Sequence, residues 1–355
     1  MALGDTKSGP GRITPTAESG VTQPIIFGCA ETTLLPAEED LFSAVQPLGF
    51  ILFSRNCQSP DQIRSLVNSL KRIRPNAPIL IDQEGGRVAR LRPPQWRAAP
   101  PAYTFAPLAR RNVGSACRAA RLNARLIAAD LFELGITVNC APVLDVPERG
   151  AHDIIGDRAL GHDPQIVAKI GGAICHGLSS GGVQPVIKHI PGHGRARADS
   201  HTSLPIVDAQ GQDLRQIDFV PFTALANAPW AMTAHVVYQD LDSAPATLSR
   251  AVIQNQIRGE IGFMGLLISD DISMGALSGP LGTRAAAALA AGCDVVLHCN
   301  ASMAEMREIA DAVSAMGAPF QRPVPDVEAV DDPPFNREET LNELNEILEP
   351  LTLDA

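Results

Sequence analysis

Eight short apolar runs alternate with longer stretches along this chain, and the alternation limits its fold more than any other feature. Each run has the length of a buried strand, and the stretches between them are long enough for helices. The candidate strands are residues 24–29, 50–54, 78–82, 136–143, 183–188, 230–236, 265–269 and 294–298. The clearest helix candidates are residues 60–73, 114–134 and 302–315. Repeated strand–helix units of this kind build a parallel sheet covered by helices.

Polar residues at the strand ends separate the two folds that such units form. An open doubly wound sheet and a TIM-like (β/α)8 barrel, which needs about 250 residues, both fit the alternation. The polar residues at or just after a strand end are Asp82, Lys188, His189, His235 and Asp270. In a barrel the carboxyl ends of all the strands meet at one mouth, so these side chains share a site. The sequence therefore predicts a single-domain α/β fold, a TIM-like (β/α)8 barrel.

The two ends of the chain differ from its middle. Residues 21–320 carry the strand–helix pattern and are predicted to form the barrel. Residues 1–20 lack the apolar core of a secretory signal, so we expect a flexible tail. Residues 321–355 begin with a Pro-rich, acidic stretch, predicted to be a strap, and the apolar spacing in 337–349 predicts a short closing helix.

Charge and cysteine content exclude some classes of function. The chain has 29 Lys and Arg against 39 Asp and Glu, and this net charge of −10 argues against nucleic acid or an anionic membrane as a partner. No apolar run approaches the roughly 20 residues that cross a bilayer. The 7 cysteines include no CxxC pair, which favours a reducing, cytoplasmic compartment.

The loop after the third candidate strand is rich in hydrogen-bonding groups. It reads DQEGGR from Asp82 to Arg87 and is followed by Arg90. A carboxylate at a strand end can accept hydrogen bonds from two adjacent hydroxyl groups, so Asp82 is a candidate for binding a polyhydroxylated ligand. The alternative is a glycine turn whose charged side chains pair with one another.

Three histidines lie within a short segment after the fifth candidate strand. They follow the order His189, His193 and His201, and Asp199 lies two residues before the last of them. Imidazoles are common zinc ligands, but the Pro-Gly pair after residue 190 forbids the helix that an HExxH site requires. An Asp-x-His pair can instead act as a general acid and base, because a carboxylate orients the imidazole and supports its charged form.

Three further positions complete the polar set. Asp270 ends an apolar strand, where a carboxylate can attack a carbon or stabilise a developing cation. Its neighbour Asp271 fits a cap for the next helix better. Arg158 can donate a bidentate hydrogen bond to a ligand oxygen. His235 fits either a core histidine or a ligand contact.

These clusters, in this order and spacing, resemble one family. The segments that carry the resemblance are IDQEGGRVARL, APVLDV, IKHIPGHG followed by ADSH, MTAHV and SDDISMGAL, and the match as a whole covers roughly residues 45–300. They are similar to those of the bacterial β-N-acetylhexosaminidases of glycoside hydrolase family three, the cytoplasmic type that acts in peptidoglycan recycling. The resemblance implies a retaining exo-glycosidase that releases terminal β-linked N-acetylglucosamine, with muropeptides as the expected substrates.

The resemblance also implies roles for individual residues. Asp270 would be the nucleophile that forms a covalent glycosyl-enzyme, and His201 would be the acid/base, assisted by Asp199. The expected substrate-binding residues are Asp82, Arg90, Arg158, Lys188, His189, His235 and Met274. Glycosidases generally use two carboxylates, so Glu84 is the rival to His201 as the acid. Arg195 and Arg197 add positive charge near the acid/base, and because of this charge we expect a preference for an anionic aglycone.

Three other functions remain open on the sequence. They are a sugar-binding barrel without turnover, a metal-dependent barrel hydrolase, and a β-glucosidase of the same family. The last usually takes its acid from an additional domain that this chain is too short to contain. We expect an enzyme without a metal or cofactor, acting as a monomer on a small-molecule carbohydrate.

Overall fold

A closed barrel of parallel strands forms the centre of the molecule. The computed structural model describes residues 21–148, 153–317, 320, 322–325 and 335–352. Within this part of the chain, the barrel strands are β1 (Gln23–Gly28), β2 (Pro47–Leu52), β3 (Ile79–Ile81), β4 (Val138–Asn139), β5 (Gln184–Ile190), β7 (Trp230–Thr233), β9 (Leu266–Asp271) and β10 (Val295–His298). Each is parallel to its neighbours, and β10 pairs with β1 to close the barrel. The predicted (β/α)8 barrel is confirmed.

The helices surround the barrel and alternate with its strands. The α-helices of the described residues are α1 (Pro36–Val45), α2 (Pro60–Ile73), α3 (Phe105–Arg111), α4 (Val113–Glu133), α5 (Pro164–Ser179), α6 (Gly211–Asp213), α7 (Phe219–Ala224), α8 (Leu281–Ala291), α9 (Met303–Ala315) and α10 (Arg337–Thr352). Between β7 and β9 the helix is a π-helix, Val252–Glu260. The predicted helices match α2, α4, α9 and α10 to within a few residues. The start of α2 shows why: the Ser59 side chain accepts a hydrogen bond from the backbone N–H of Gln62, and Pro60 has no N–H to satisfy.

The fourth strand is much shorter than its apolar run. Residues 136–143 were expected to be extended, but β4 contains only Val138 and Asn139. Pro142 has no N–H to donate to a ladder, so the regular pairing stops before it. The chain still contacts β5, because the N–H of Lys188 donates to the carbonyl of Pro142 at 3.1 Å. The strand therefore ends early and leaves residues 141–148 as a loop at the mouth.

A small second sheet lies outside the barrel. Its two strands are β6 (Ile206–Val207) and β8 (Val237–Tyr238), which pair in parallel. The sequence analysis did not predict them, since a two-residue strand leaves no periodic signal. Strand β6 holds the far end of the segment that leaves β5 and carries His201, so the sheet limits where that segment can lie.

Phe320 and residues 322–325, the described residues shortly after α9, lie at the end of the barrel opposite the mouth. Phe320 and Val324 pack against the apolar barrel interior, and the Arg322 guanidinium contacts Asp294 at 2.7 Å. Helix α10 packs on α4, where Leu344 is buried and Glu343 pairs with Arg118. The tail predicted at 1–20 and most of the strap predicted at 322–334 lie outside the described residues.

None of the helices in the described part of the chain has both the length and the apolar character that a bilayer crossing requires.

Candidate active site

A cavity of about 470 Å³ opens at the carboxyl ends of the barrel strands. The predicted site residues that line it are Asp82, Arg90, Arg158, Lys188, His189, His201, Asp270 and Met274. They come from separate strand ends and loops, and the barrel brings them together. Asp199 contacts the cavity through His201, whereas His235 does not line it.

One wall of the cavity is a network of paired charges. Lys188 bridges two carboxylates, with its Nζ 2.9 Å from Asp82 Oδ1 and 2.6 Å from Glu84 Oε1. Arg158 binds both oxygens of Glu84, each at 2.9 Å, and Arg90 reaches Asp82 at 3.1 Å. We call these five residues the charged wall. Their mutual contacts fix the side chains before any ligand arrives.

The charged wall keeps its carboxylates ionised. Burial raises the pKa of Glu84, but the charges of Lys188 and Arg158 outweigh it, so the pKa lies below its usual value. The same balance, with Lys188 and Arg90 as the cations, lowers the pKa of Asp82. A carboxylate held in this state accepts hydrogen bonds from hydroxyl groups and has no proton to give. Glu84 is therefore poorly suited to the acid role for which it rivalled His201.

A bulge in β5 turns two consecutive residues toward the cavity. The pairing with β7 joins Lys188 to Met232 and Ile190 to Thr233, so β5 contains one extra residue at this point. Side chains of a regular strand alternate between its faces, whereas a bulge redirects them. Both Lys188 and His189 consequently line the same cavity.

Asp145 is a buried site residue that the sequence analysis did not select. Its Oδ2 lies 2.7 Å from His189 Nδ1, and its Oδ1 accepts hydrogen bonds from the backbone N–H groups of His189 at 3.2 Å and His193 at 2.7 Å. Burial raises the pKa of Asp145, but these partners outweigh it and lower the pKa to about 2. Asp82 was selected by the strand-end rule, by which polar residues at or just after strand ends share one site. The same rule would have found Asp145, because it follows the fourth candidate strand in APVLDV.

Asp270 is held at the end of β9 as a half-buried carboxylate. The backbone N–H of Asp271 donates to its Oδ1 at 2.8 Å. Burial raises its pKa, but the His235 and His189 imidazoles and this N–H outweigh burial, so the pKa of Asp270 is lowered. Asp271 is differently engaged, since its carboxylate accepts from the Ser273 hydroxyl at 2.8 Å and caps the turn that follows. Of these two carboxylates, Asp270 is the one that accepts no hydrogen bond from a side chain of the described residues.

His201 and Asp199 pair at the rim of the cavity. Asp199 Oδ1 lies 2.8 Å from both His201 Nδ1 and the His201 backbone N. The His201 side chain is 60% exposed, against 3% for Lys188. Because Nδ1 faces the carboxylate, Nε2 is the nitrogen left to exchange a proton with a ligand. We call residues 199–203 the His201 loop.

His235 lies behind the cavity wall rather than in it. Its Nδ1 is 2.7 Å from the Thr247 hydroxyl, and its Nε2 donates to the backbone carbonyl of Asp271 at 3.0 Å. It is fully buried. Both ring nitrogens are used within the protein, so the expected substrate contact is corrected to a support for the backbone beside Asp270. The sequence offered no sign of Thr247 as its partner.

An aromatic and an arginine after β2 also line the cavity without having been predicted. The Phe53 ring lies between two guanidinium groups, 5.0 Å from that of Arg55 and 4.9 Å from that of Arg90. Arg55 also donates to the Cys29 carbonyl at 2.7 Å. The signal was available for Arg55, a polar residue directly after the candidate strand 50–54, whereas Phe53 lies inside that candidate strand and is not polar.

Arg195 and Arg197 do not support the expectation of an anionic aglycone. They line a separate pocket of about 130 Å³ and do not line the main cavity. Arg195 pairs with Asp218 at 2.6 Å and Glu148 at 3.1 Å. Its charge is therefore already compensated within the protein.

No three His, Cys, Asp or Glu side chains in the described ranges are grouped as a metal would require. His189 Nδ1 is used by Asp145, and His193 Nε2 lies 3.1 Å from the Ser200 hydroxyl. The His cluster is thus built from hydrogen bonds to protein groups.

Comparison with known proteins shows the family to which the chain belongs. Residues 37–327 match the model of the glycosyl hydrolase family 3 N-terminal domain. This chain belongs to that family. It is 40% identical over 282 residues to a β-hexosaminidase of Alkalilimnicola ehrlichii, covering 78% of this chain and 80% of the relative. A β-hexosaminidase of Thiobacillus denitrificans is 38% identical over 82% of this chain and 81% of its own. The chain is a glycoside hydrolase.

Solved structures extend the likeness to the fold. NagZ of Neisseria gonorrhoeae, in complex with N-trifluoroacetyl-D-glucosamine, matches 92% of this chain and 98% of its own with a TM-score of 0.79 at 29% identity. A family 3 β-N-acetylglucosaminidase of a Paenibacillus species matches with a TM-score of 0.77 at 28% identity. This chain spans 62% of that longer protein's length.

Proposed function

We propose that this protein is a retaining exo-glycosidase that releases terminal β-linked N-acetylglucosamine from the non-reducing end of its substrates. One observation carries the proposal. An ionised, half-buried carboxylate, Asp270, and an imidazole oriented by a carboxylate, His201 with Asp199, line one cavity together with the charged wall. The cavity thus combines a nucleophile, a proton donor and hydroxyl-binding groups.

The reaction proceeds in two steps at these residues. In the first, an oxygen of Asp270 attacks the anomeric carbon, the glycosidic C–O bond breaks, and Nε2–H of His201 gives its proton to the leaving oxygen. In the second, His201 takes a proton from water as that water attacks the same carbon and Asp270 leaves. Two inversions retain the β configuration. Asp199 stabilises the charged imidazolium of His201, and this supports the role of His201 as the acid in the first step.

The charged wall supports a sugar ligand. Its carboxylates accept hydrogen bonds from ring hydroxyls, and its cations donate to other hydroxyl oxygens. The Neisseria relative was solved with N-trifluoroacetyl-D-glucosamine, which shares the sugar and the amide of N-acetylglucosamine. This ligand supports N-acetylglucosamine, rather than glucose, as the sugar of the innermost subsite.

The configuration of the first product tests the proposal. The purified protein is mixed with an aryl β-N-acetylglucosaminide in an NMR tube, and the anomeric proton signals are followed before mutarotation. A retaining enzyme gives the β-anomer first. The α-anomer as first product would contradict the proposal, and an aryl glucoside hydrolysed faster than the N-acetylglucosaminide would favour the β-glucosidase alternative.

We further propose that the natural aglycone is the anhydro-muramic unit of a muropeptide, as in cell-wall recycling. The exposure of His201 supports a large aglycone, because the acid/base contacts the leaving group and its side chain is open to solvent. Turnover of an N-acetylglucosaminyl-anhydromuropeptide is compared with that of a chitin disaccharide. A clear preference for the disaccharide would contradict the proposal.

We also propose a cytoplasmic, monomeric enzyme. The 7 cysteines are free thiols, as a reducing compartment would keep them. The proposed nucleophile, acid/base and charged wall all belong to one chain, so the proposed chemistry does not call on a residue of a second copy. Sedimentation of the active enzyme at assay concentration tests the monomer, and a dimer at that concentration would contradict it.

A further inference from the structure

We propose that Ser200 and His193 form a latch that fixes the His201 loop against the barrel, and that both are positioning residues for the acid/base. The inference rests on the role proposed above for His201. Ser200 Oγ lies 3.1 Å from His193 Nε2. Ser200 and His193 are 3% and 2% exposed, whereas the His201 side chain is 60% exposed. Ser200 and His193 lie in the wall of the same cavity as His201, so the loop buries one residue at this wall and exposes the next.

The barrel side of the latch is firmly anchored. The backbone N–H of His193 donates to the buried Asp145 at 2.7 Å, and the same carboxylate binds His189. Gly194 follows at a point where a Cβ would lie 2.0 Å from the Val146 carbonyl oxygen, so the backbone is packed tightly there. The imidazole therefore has a position set by the rigid part of the site.

Ser200 is the hydrogen-bond partner that the structure gives to the His193 ring. The other ring nitrogen, Nδ1, is buried and has no partner among the described residues. Burial, with a further contribution from His189, lowers the pKa of His193 to about 4, so the ring is neutral near pH 7. Losing the serine hydroxyl would leave a buried polar ring without its hydrogen bond, which favours displacement of the loop.

The loop also contacts the segment that follows the nucleophile. The N–H of Gly275 donates to the His201 carbonyl and that of Ala276 to the Ser200 carbonyl, both at 3.1 Å. A Cβ at position 275 would lie 2.9 Å from the His201 oxygen, so a glycine permits this approach. These two bonds join the loop to the chain just beyond β9, whose end carries Asp270. The latch is the side-chain contact that completes this three-point attachment.

A displaced His201 loop should impair proton donation to the leaving group more than any other part of the reaction. Proton donation matters most when the leaving group is a poor one, because an activated phenolate departs without help. A latch that positions His201 therefore influences the hydrolysis of poor leaving groups selectively. A purely structural residue would lower the rates of all substrates together through loss of folded enzyme.

Ser200→Ala is tested on two substrates, with Ser203→Ala as the matched control. Ser203 lies in the same loop and is exposed. The readout is kcat/KM for a dinitrophenyl N-acetylglucosaminide and for an N-acetylglucosamine disaccharide, since kcat/KM reports the step that breaks the glycosidic bond. We expect Ser200→Ala to lower the disaccharide value about tenfold relative to the dinitrophenyl value, the factor for one ordinary hydrogen bond. Ser203→Ala leaves the ratio unchanged.

His201→Ala separates the failure of the latch from the failure of the proposed function. If His201→Ala shows strong leaving-group dependence and Ser200→Ala shows none, the latch is overturned alone. If His201→Ala also shows none, the acid role of His201 is overturned and the latch with it. Should Ser200→Ala fold poorly in a thermal melt, Ser200→Cys is used, because a thiol keeps the shape and forms a weaker hydrogen bond.

The double variant provides an independent readout. Substitutions that remove the same contact have non-additive effects. The double variant His193→Ala with Ser200→Ala should therefore change the ratio of disaccharide to dinitrophenyl kcat/KM no further than the larger of the two single substitutions. Effects that multiply would show that the two residues act separately and would overturn the latch.

Discussion

The charged wall and the His201 loop lie on the same cavity but are built in opposite ways. The wall consists of side chains that are largely shielded from solvent and paired with opposite charges, as Lys188 is with Asp82 and Glu84. The loop carries an exposed imidazole held by one carboxylate, Asp199. The difference indicates a division of labour, in which rigid strand ends bind the sugar and a more open segment exchanges protons with the leaving group and water.

The largest effect is expected at the nucleophile, which belongs to the rigid side of the comparison. Asp270→Ala should lower kcat on an aryl N-acetylglucosaminide by more than about 10⁴-fold, because the other carboxylates that line the cavity in the described residues, those of Asp82, Glu84 and Asp271, are held by protein partners. Asp271→Asn is the matched control, since its carboxylate caps a turn through Ser273. It should lose much less activity. Comparable losses in the two variants would contradict the assignment.

Removing the exposed imidazole should separate rate from stability. His201→Ala is expected to lower kcat/KM on the disaccharide by about 10²–10⁴-fold, the usual contribution of general acid–base catalysis. Its stability to urea should change by less than about 0.5 kcal/mol, as for most exposed substitutions. His162→Ala, at another exposed histidine, controls for nonspecific effects. A large loss of stability in His201→Ala would show that the loop is not the open region described above.

A substitution in the charged wall, unlike one at His201, should lower the stability of the fold. Lys188→Met leaves the buried carboxylates of Asp82 and Glu84 partly uncompensated, and breaking such a network typically costs about 3–5 kcal/mol. Urea unfolding measures this loss. Lys169→Met, at an exposed lysine, should stay near the wild-type value. An unchanged stability in Lys188→Met would mean that the wall is not the rigid element.

Acidic pH should lower the free energy of unfolding, because it protonates a buried carboxylate at the site. The pKa of Asp145 is lowered to about 2 in the folded state, against about 3.9 when unfolded. A depressed carboxyl pKa stabilises the fold above the unfolded value, and this contribution disappears as the pH falls toward the folded one. It amounts to about 2–3 kcal/mol. The free energy of unfolding should therefore fall between about pH 4 and pH 2, and Asp145→Asn should show a shallower fall. Equal slopes would contradict this account.

The smallest effect is expected at the second pocket. Arg197→Ala should leave the ratio of muropeptide to aryl-substrate kcat/KM unchanged, because Arg197 does not line the main cavity. Kinetics on both substrates check this directly. A changed ratio would extend the substrate-binding surface beyond the cavity and restore the sequence-based expectation.

The barrel could be predicted because its signal is periodic and repeated. Apolar runs of strand length mark each strand, and the strand-end rule placed Asp82, Lys188 and Asp270 in one cavity. The same rule applies to Asp145 and Arg55, polar residues that follow candidate strands, but neither was selected. It overreached for His235, because the sequence does not show that a buried Thr247 uses its ring.

Other features could not be predicted from local pattern. The bulge in β5, the pairing of Glu84 with Arg158, and the contact of Ser200 with His193 all join residues through tertiary packing. The short fourth strand reflects Pro142, which an apolar run alone does not weigh. Strands of two residues, such as β6, carry no periodicity at all.

Covalent trapping tests the central claim most directly. The protein is incubated with a fluorinated N-acetylglucosaminyl fluoride, which slows the second step, and the labelled peptide is sequenced by mass spectrometry. The account predicts one sugar per chain, attached to Asp270 in the wild-type protein and absent from Asp270→Ala. Label on Glu84 or Asp271, or full turnover of the trap with release of an oxazoline and no labelled peptide, would contradict it.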